Sequence, residues 1–226
     1  MQEKLFAANL LDFDKTIAKP LFESVKFPWE AFDRLSEFII ETGKALPADE
    51  YDTPGENIWV HKTAKVAPTA YLNGPLIIGE GTEVRHCAFI RGTAIVGKNC
   101  VVGNSTELKG SILFDSVQCP HYNYIGDSIL GYKSHTGAGV ITSNLKSDKS
   151  LVTVAIEGTR LDTNRKKFGA IIGDGTEIGC NSVLNPGTVI GRHTNVYPLS
   201  MVRGYVAENC IYKSRGEVCA KDLGAR

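Results

Sequence analysis

The sequence predicts an all-β solenoid, a parallel β-helix, with a short α-helical segment in front of it. Two observations carry that prediction. Aliphatic residues recur at every sixth position through two long blocks, whereas the stretch before Glu56 lacks this period and follows the spacing of an amphipathic helix.

Residues 1–55 form the helical segment. "FPWEAFDRLSEFIIETGK" places Pro28 where a first helical turn tolerates it, and Trp29, Phe32, Leu35, Phe38 and Ile39 on one broad apolar stripe, with Gly43 just past the expected end. Such a stripe needs a partner, and the side or mouth of the solenoid is the one available. Upstream, "LLDFDKT" at residues 10–16 matches the D-x-D-x-T signature of aspartyl-phosphate phosphatases. That chemistry needs a complete α/β domain, and the chain between the motif and the repeats is far too short to build one. Asp12 and Asp14 are therefore expected to cap a helix start.

Residues 56–206 form the solenoid. Val66, Leu72, Ile78, Val84, Ile90, Val96, Val102 and Leu108 stand six apart, and the phase returns at Ile172, Ile178, Leu184, Ile190, Val196 and Val202. A period of six fits neither a helix nor plain strand alternation. Each hexad is one short strand plus a corner, and three hexads close a triangular coil, so residues about 18 apart stack at roughly 4.8 Å. Four positions after each aliphatic of the first block come Ala70, Leu76, Thr82, Ala88, Ala94, Cys100, Thr106 and Ile112, most of them small enough to turn inward at a corner. Cys100 and Cys119 take inward positions as apolar filler.

"SVQCPHYNYIGD", residues 116–127, breaks this regularity with a histidine, two tyrosines and an asparagine. The step shortens to five at Leu108–Leu113 and again at Ile125–Leu130, so a coil crossing either break is one position shorter than the rest. Stacking arithmetic then puts Arg91 under Lys109 and Glu107 under Tyr124. His121 lies three positions before the Tyr124 corner, Ala138 one coil above His121, and Asn144 just after the next coil's version of that corner. Two cations, a carboxylate, an imidazole, a phenol and an amide converge on one edge, the composition of a functional site. Two stacked cations also repel unless a dianion lies between them, which points to a phosphorylated ligand.

Residues of about 145–169 lose the phase and carry Arg165, Lys166 and Lys167, as an inserted loop or hairpin would, and residues 207–226 form a C-terminal tail. Lys and Arg together number 25, as do Asp and Glu, so the net charge of zero leaves no electrostatic footprint for nucleic acid. No apolar run approaches the ~20 residues of a membrane span and no signal peptide is visible, so a cytoplasmic protein without a membrane partner is expected. The six cysteines lack metal-type spacing, and no metal is expected.

"NSTELKGS", "HYNYIGDS" and "GAGVITSN" carry a resemblance. Residues 55–218 resemble the acetyltransferase half of the bifunctional glucosamine-1-phosphate N-acetyltransferase and N-acetylglucosamine-1-phosphate uridylyltransferase family. The connection "TNRKKFGAIIGD" is most similar to the archaeal-type sugar-phosphate transferases, and "FPWEAF" resembles the linker preceding the β-helix in those proteins. The resemblance implies a left-handed coil, against the usual right-handed crossover rule. It implies a homotrimer with a coenzyme groove between neighbouring prisms, and acetyl-CoA as co-substrate. It also implies roles: His121 as general base, Glu107 as the acid that orients substrate and base, and Arg91, Lys109 and Tyr124 as holders of the sugar phosphate. Ala138 falls on the backbone amide that meets the thioester carbonyl, Asn144 on an amide touching both sugar and acetyl-CoA, and Arg215 on a coenzyme-phosphate contact. His135 stands where the family has a sugar-binding asparagine, Leu145 replaces a tyrosine, and Cys180 and Pro198 replace a serine and an alanine in the acetyl-CoA groove.

The chemistry asks for such a set. An amino sugar is mostly protonated near neutral pH, so a base must free its nitrogen to attack the thioester, and the resulting oxyanion needs a preorganised N–H. Residues 1–55 contain no glycine-rich, arginine-containing nucleotide loop, so this chain is expected to acetylate without coupling the sugar to UTP, with a separate uridylyltransferase as partner. Two alternatives stay open. One is a non-catalytic β-helix that scaffolds or senses a sugar phosphate. The other is metal-dependent hydratase chemistry, which would need three convergent histidines, whereas His86, His121 and His135 are not expected to share a stacking column.

Overall fold

Short hexad strands wind into three parallel walls around a prism of aliphatic side chains. The computed structural model describes residues 2–213 and 216–222, and it is a left-handed parallel β-helix of about nine turns. Inward residues such as Ile78, Ile90, Val96, Val102 and Leu108 are fully buried, as are Cys100 and Cys119. Both coil lengths appear: Ile90 pairs with Leu108 across a full coil, and Leu108 with Ile125 across one that is a position shorter.

The first wall runs through Leu76–Ile78, Ala94–Val96, Ser111–Leu113, Ile129–Leu130, Ala170–Ile172 and Thr188–Ile190. Its outward residues, Trp59, Ile77, Ile95, Ile112, Ile129, Ile171 and Val189, stack in one register and are all buried. Ile112 thus differs from its expected place at an inward corner. The five-residue step moves Ser111 into that corner, in register with Ala94, and leaves Ile112 facing out.

The N-terminal segment covers this wall. The expected single helix is two elements, a 3₁₀ turn at Pro28–Asp33 and an α-helix at Leu35–Ala45. Gly43 lies inside the helix rather than beyond its end, and glycine is needed there because any side chain would run into the Trp59 ring. The Phe22 ring packs tilted against Phe114 with centroids 5.2 Å apart, and Trp29 against Phe168 at 5.6 Å. Each large side chain buried this way contributes roughly 1.5–3 kcal/mol. Asp12 does cap: its carboxylate accepts the Asp14 N–H at 3.1 Å and opens the 3₁₀ turn Phe13–Lys15.

The inserted loop is a β-hairpin, Val152–Ile156 against Thr159–Arg165. Its buried Val152, Val154 and Ile156 extend the cover over the upper first wall. The ladders also run past the expected limits of the solenoid. Tyr51–Gly55 pairs antiparallel with Ile58–His61, and Cys210–Tyr212 adds a parallel strand to the second wall, which runs through Lys65–Val66, Glu83–Val84, Val101–Asn104, Gln118–His121, His135–Thr136, Glu177–Ile178 and Asn195–Val196. No helix among the described residues is long and apolar enough to cross a membrane.

Candidate functional site

The third wall, Tyr71–Asn73, Phe89–Arg91, Glu107–Lys109, Tyr124–Gly126, Ile141–Thr142, Val183–Leu184 and Met201–Val202, keeps a polar middle that is exposed or half-buried, and the N-terminal segment and hairpin reach it at its Arg91–Lys109 edge. Stacking places Glu107 between Phe89 and Tyr124, as the spacing required. The Arg91 Nε–H donates to Glu107 Oε1 at 2.6 Å, and the guanidinium carbon lies 5.9 Å from the Phe89 ring centre. That bond to the carboxylate holds the Arg91 pKa above its ordinary value.

One coil up, Lys109 Nζ reaches both oxygens of Asp127, at 2.7 and 2.9 Å. The Asn144 amide donates to Asp127 Oδ2 at 2.5 Å and to the Tyr124 hydroxyl at 3.2 Å. Burial first, then the Glu107 and Asp127 charges, pushes the Tyr124 phenol above its usual range. It therefore stays protonated near neutral pH, with its hydrogen available to a ligand. Gly126 makes room for that ring, since a side chain there would come 2.6 Å from the Tyr124 hydroxyl.

The stacked cations do not face each other unpaired, as spacing alone suggested. Each has its own carboxylate, and Asp127 is the residue that sequence reasoning missed. It sits at a corner with φ of 46°, a left-handed conformation that short polar side chains tolerate, and this turns its carboxylate back across the coil. A signal was present in "YIGD", because Asp127 directly follows Gly126, the residue stacked on Lys109.

At the preceding corner a second column forms. The N–H of Gly139 donates to His121 O at 3.0 Å, that of Asn181 to Ala138 O at 2.8 Å, and that of Leu199 to Cys180 O at 2.9 Å. His121, Ala138, Cys180 and Pro198 therefore stand in single file up the edge between the second and third walls. The His121 imidazole is exposed and makes no hydrogen bond or ion pair among the described residues. Below it the file continues through Asn104 to His86, since the Tyr122 and Ser105 amides donate to Asn104 O and His86 O. His86 and His121 thus share a column, two coils or roughly 9.6 Å apart, while His135 stands outside it, so the three histidines do not converge.

Two expected residues fall elsewhere. His135 lies on the second wall between Gln118 and Glu177, and its Nδ1 meets Glu177 Oε2 at 2.8 Å. Leu145 bridges to Lys167 beneath the hairpin and lines a groove of about 320 Å³ with Lys146, Arg160 and Arg203. Arg215 lies outside the described residues.

Residues 72–168 match the family described as GMPPB C-terminal domain, and residues 169–204 match that described as bacterial transferase hexapeptide (six repeats). The chain carries a hexapeptide-repeat transferase domain. Among curated relatives, the bifunctional protein GlmU of Methanococcus maripaludis is 32% identical over 206 residues, which cover 90% of this chain and 50% of that protein. The bifunctional protein GlmU of Methanococcus aeolicus is 30% identical, covering 74% of this chain and 44% of the relative. The bifunctional sugar-1-phosphate nucleotidylyltransferase/acetyltransferase of Sulfurisphaera tokodaii is 29% identical, covering 82% and 47%. The chain thus spans half or less of the length of these relatives, and the match falls on their C-terminal half.

Proposed function

We propose that this domain is an acetyl-CoA-dependent N-acetyltransferase acting on glucosamine 1-phosphate or a similar amino-sugar phosphate, on the way to UDP-N-acetylglucosamine. The observation that carries the reading is the pairing of two edges of one wall. A free imidazole heads the Ala138, Cys180 and Pro198 file at one edge, and the paired cations Arg91 and Lys109 stand at the other. A three-residue strand of roughly 7–10 Å separates them, the span of one sugar ring between an amine and a phosphate. The Sulfurisphaera relative, named as both a sugar-1-phosphate enzyme and an acetyltransferase, supports the same substrate class.

In this reading His121 takes the proton from the amine as it attacks the thioester, and the Ala138 N–H, which has no hydrogen-bond partner among the described residues, meets the oxyanion. Acetyl-CoA lies along the file above it. Glu107 and Asp127 hold Arg91 and Lys109 ready, and Tyr124 and Asn144 address the sugar. Cys180 stands in the coenzyme track with no base beside it, which favours direct transfer over an acetyl-cysteine. Metal takes no part.

The test is thiol release from acetyl-CoA across a panel of amino sugars with and without phosphate. Turnover confined to an amino-sugar 1-phosphate is expected, and none on any amino sugar sinks the reading. Tyr71, Tyr122, Leu199 and Met201 expose an apolar stripe along the third wall and its corner, which suits a second copy of the chain. A homotrimer is expected by light scattering, and a monomer mass at micromolar concentration would remove any site between subunits.

A further inference from the structure

The cavity beside Arg91 and Lys109 is closed by parts of the chain that the repeat does not contain. It measures about 270 Å³ and is lined by Arg91, Lys109 and Asp127 of the third wall, by Phe32 and Leu35 of the N-terminal segment, and by Arg165 of the hairpin. Arg165 ends the strand Thr159–Arg165, and its side chain is only 20% exposed. Its guanidinium lies over the Phe32 ring at 5.1 Å and is held by the Asp33 carboxylate. Its Nε is buried and has no hydrogen-bond partner among the described residues.

A guanidinium stacked on a ring and braced by a carboxylate is preorganised, with its remaining N–H groups fixed in a fork that suits phosphate oxygens. We propose that Arg165 is a third phosphate ligand of this site, that Asp33 positions it, and that Phe32 and Leu35 end the cavity so that it takes a terminal phosphomonoester rather than a sugar nucleotide. The inference rests on the sugar-phosphate reading above. Each of the three cations keeps one carboxylate partner, Glu107, Asp127 and Asp33 in turn, so a dianion is drawn to the cavity by the N–H groups those pairs leave over. Arg165 adds a second guanidinium fork to that of Arg91.

The experiment uses the full chain and glucose 1-phosphate, which lacks an amine and cannot react. Its binding is measured by calorimetry for wild type, Arg165→Ala, Arg165→Lys and Asp33→Asn, at pH 7.5 and 5.5, with UDP-glucose as comparison. Arg165→Ala should weaken binding about 10- to 100-fold, as loss of charge-assisted hydrogen bonds does. It should also flatten the pH dependence that wild type shows as the phosphate passes its second pKa of about 6. Arg165→Lys should recover part of the affinity, and Asp33→Asn should raise KM for the amino-sugar phosphate while leaving kcat unchanged. Wild type should bind UDP-glucose weakly.

Equal binding of glucose 1-phosphate by wild type and both Arg165 variants overturns this inference and leaves the substrate reading intact. Binding that depends on Arg165 without any acetyl transfer upholds the inference as a phosphate site and removes the enzymatic reading. No binding to wild type overturns both.

Discussion

The first and third walls are built from the same hexad and serve opposite ends. In each, one outward residue precedes the buried aliphatic and one follows it. On the first wall the pairs are Ile77 with Gly79, Ile95 with Gly97 and Ile171 with Gly173, and the N-terminal segment and hairpin lie on top of them. On the third wall the same slots hold Phe89 with Arg91, Glu107 with Lys109 and Tyr124 with Gly126. Both walls carry identical inward packing, so the coil tolerates either set. What the difference teaches is that outward chemistry alone decides whether a wall is buried for stability or left open for a ligand.

The largest expected effect breaks the open side. His121→Ala should lower turnover by about two to four orders of magnitude, the usual contribution of a positioned base, with no change in melting temperature because the residue is exposed and adds nothing to the prism core. Cys180→Ala should cost little. An active histidine variant beside a dead cysteine variant would reverse the mechanism.

On the covered side the pattern should invert. Phe22 is fully buried and packs against the Phe114 ring, so Phe22→Ala should cost about 3–5 kcal/mol of stability in chemical denaturation. Activity per folded molecule should be unaffected. A catalytic defect without lost stability would mean that Phe22 serves the reaction rather than the cover.

Much of this contrast was legible in the residues. Strand spacing located the prism, and counting positions per coil put Glu107 under Tyr124 and Ala138 over His121, because stacking depends only on chain length per coil. What the count missed depends on side-chain direction or on segments without a period. Asp127 reaches Lys109 only through a corner in the left-handed conformation. Gly43 reads as a helix stop until Trp59 is placed against it. Arg165 meets Phe32 and Asp33 across more than half the chain, and neither the hairpin nor the N-terminal segment has a phase to count. The apolar triplets "LII", "AIV" and "AII" of the first wall were a clue left unused, since a strand buried on both faces reads as an unbroken hydrophobic run.

The smallest expected effect concerns the seam where the cover meets the coil. Asp174 is 6% exposed, its N–H donates to Leu10 O at 3.1 Å, and its carboxylate accepts the Tyr132 N–H at 2.7 Å. Arg192 Nε lies 3.3 Å from the other oxygen without the alignment of a hydrogen bond. Burial dominates and pushes the carboxyl up to about 6, against the pull of the Arg192 charge. An unfolded aspartate titrates near ~3.9, so between about pH 4 and 6 the folded chain binds the extra proton. The contribution of this group to stability is therefore complete below that window and is lost as pH rises through it. Asp174→Asn mimics the protonated acid at every pH. Relative to wild type, its stability should rise by about 1–3 kcal/mol between pH 4 and 7.5, read by urea denaturation at both. A difference that stays constant would show that Arg192 keeps Asp174 charged throughout, and that the seam is held by an ion pair rather than strained by a buried charge.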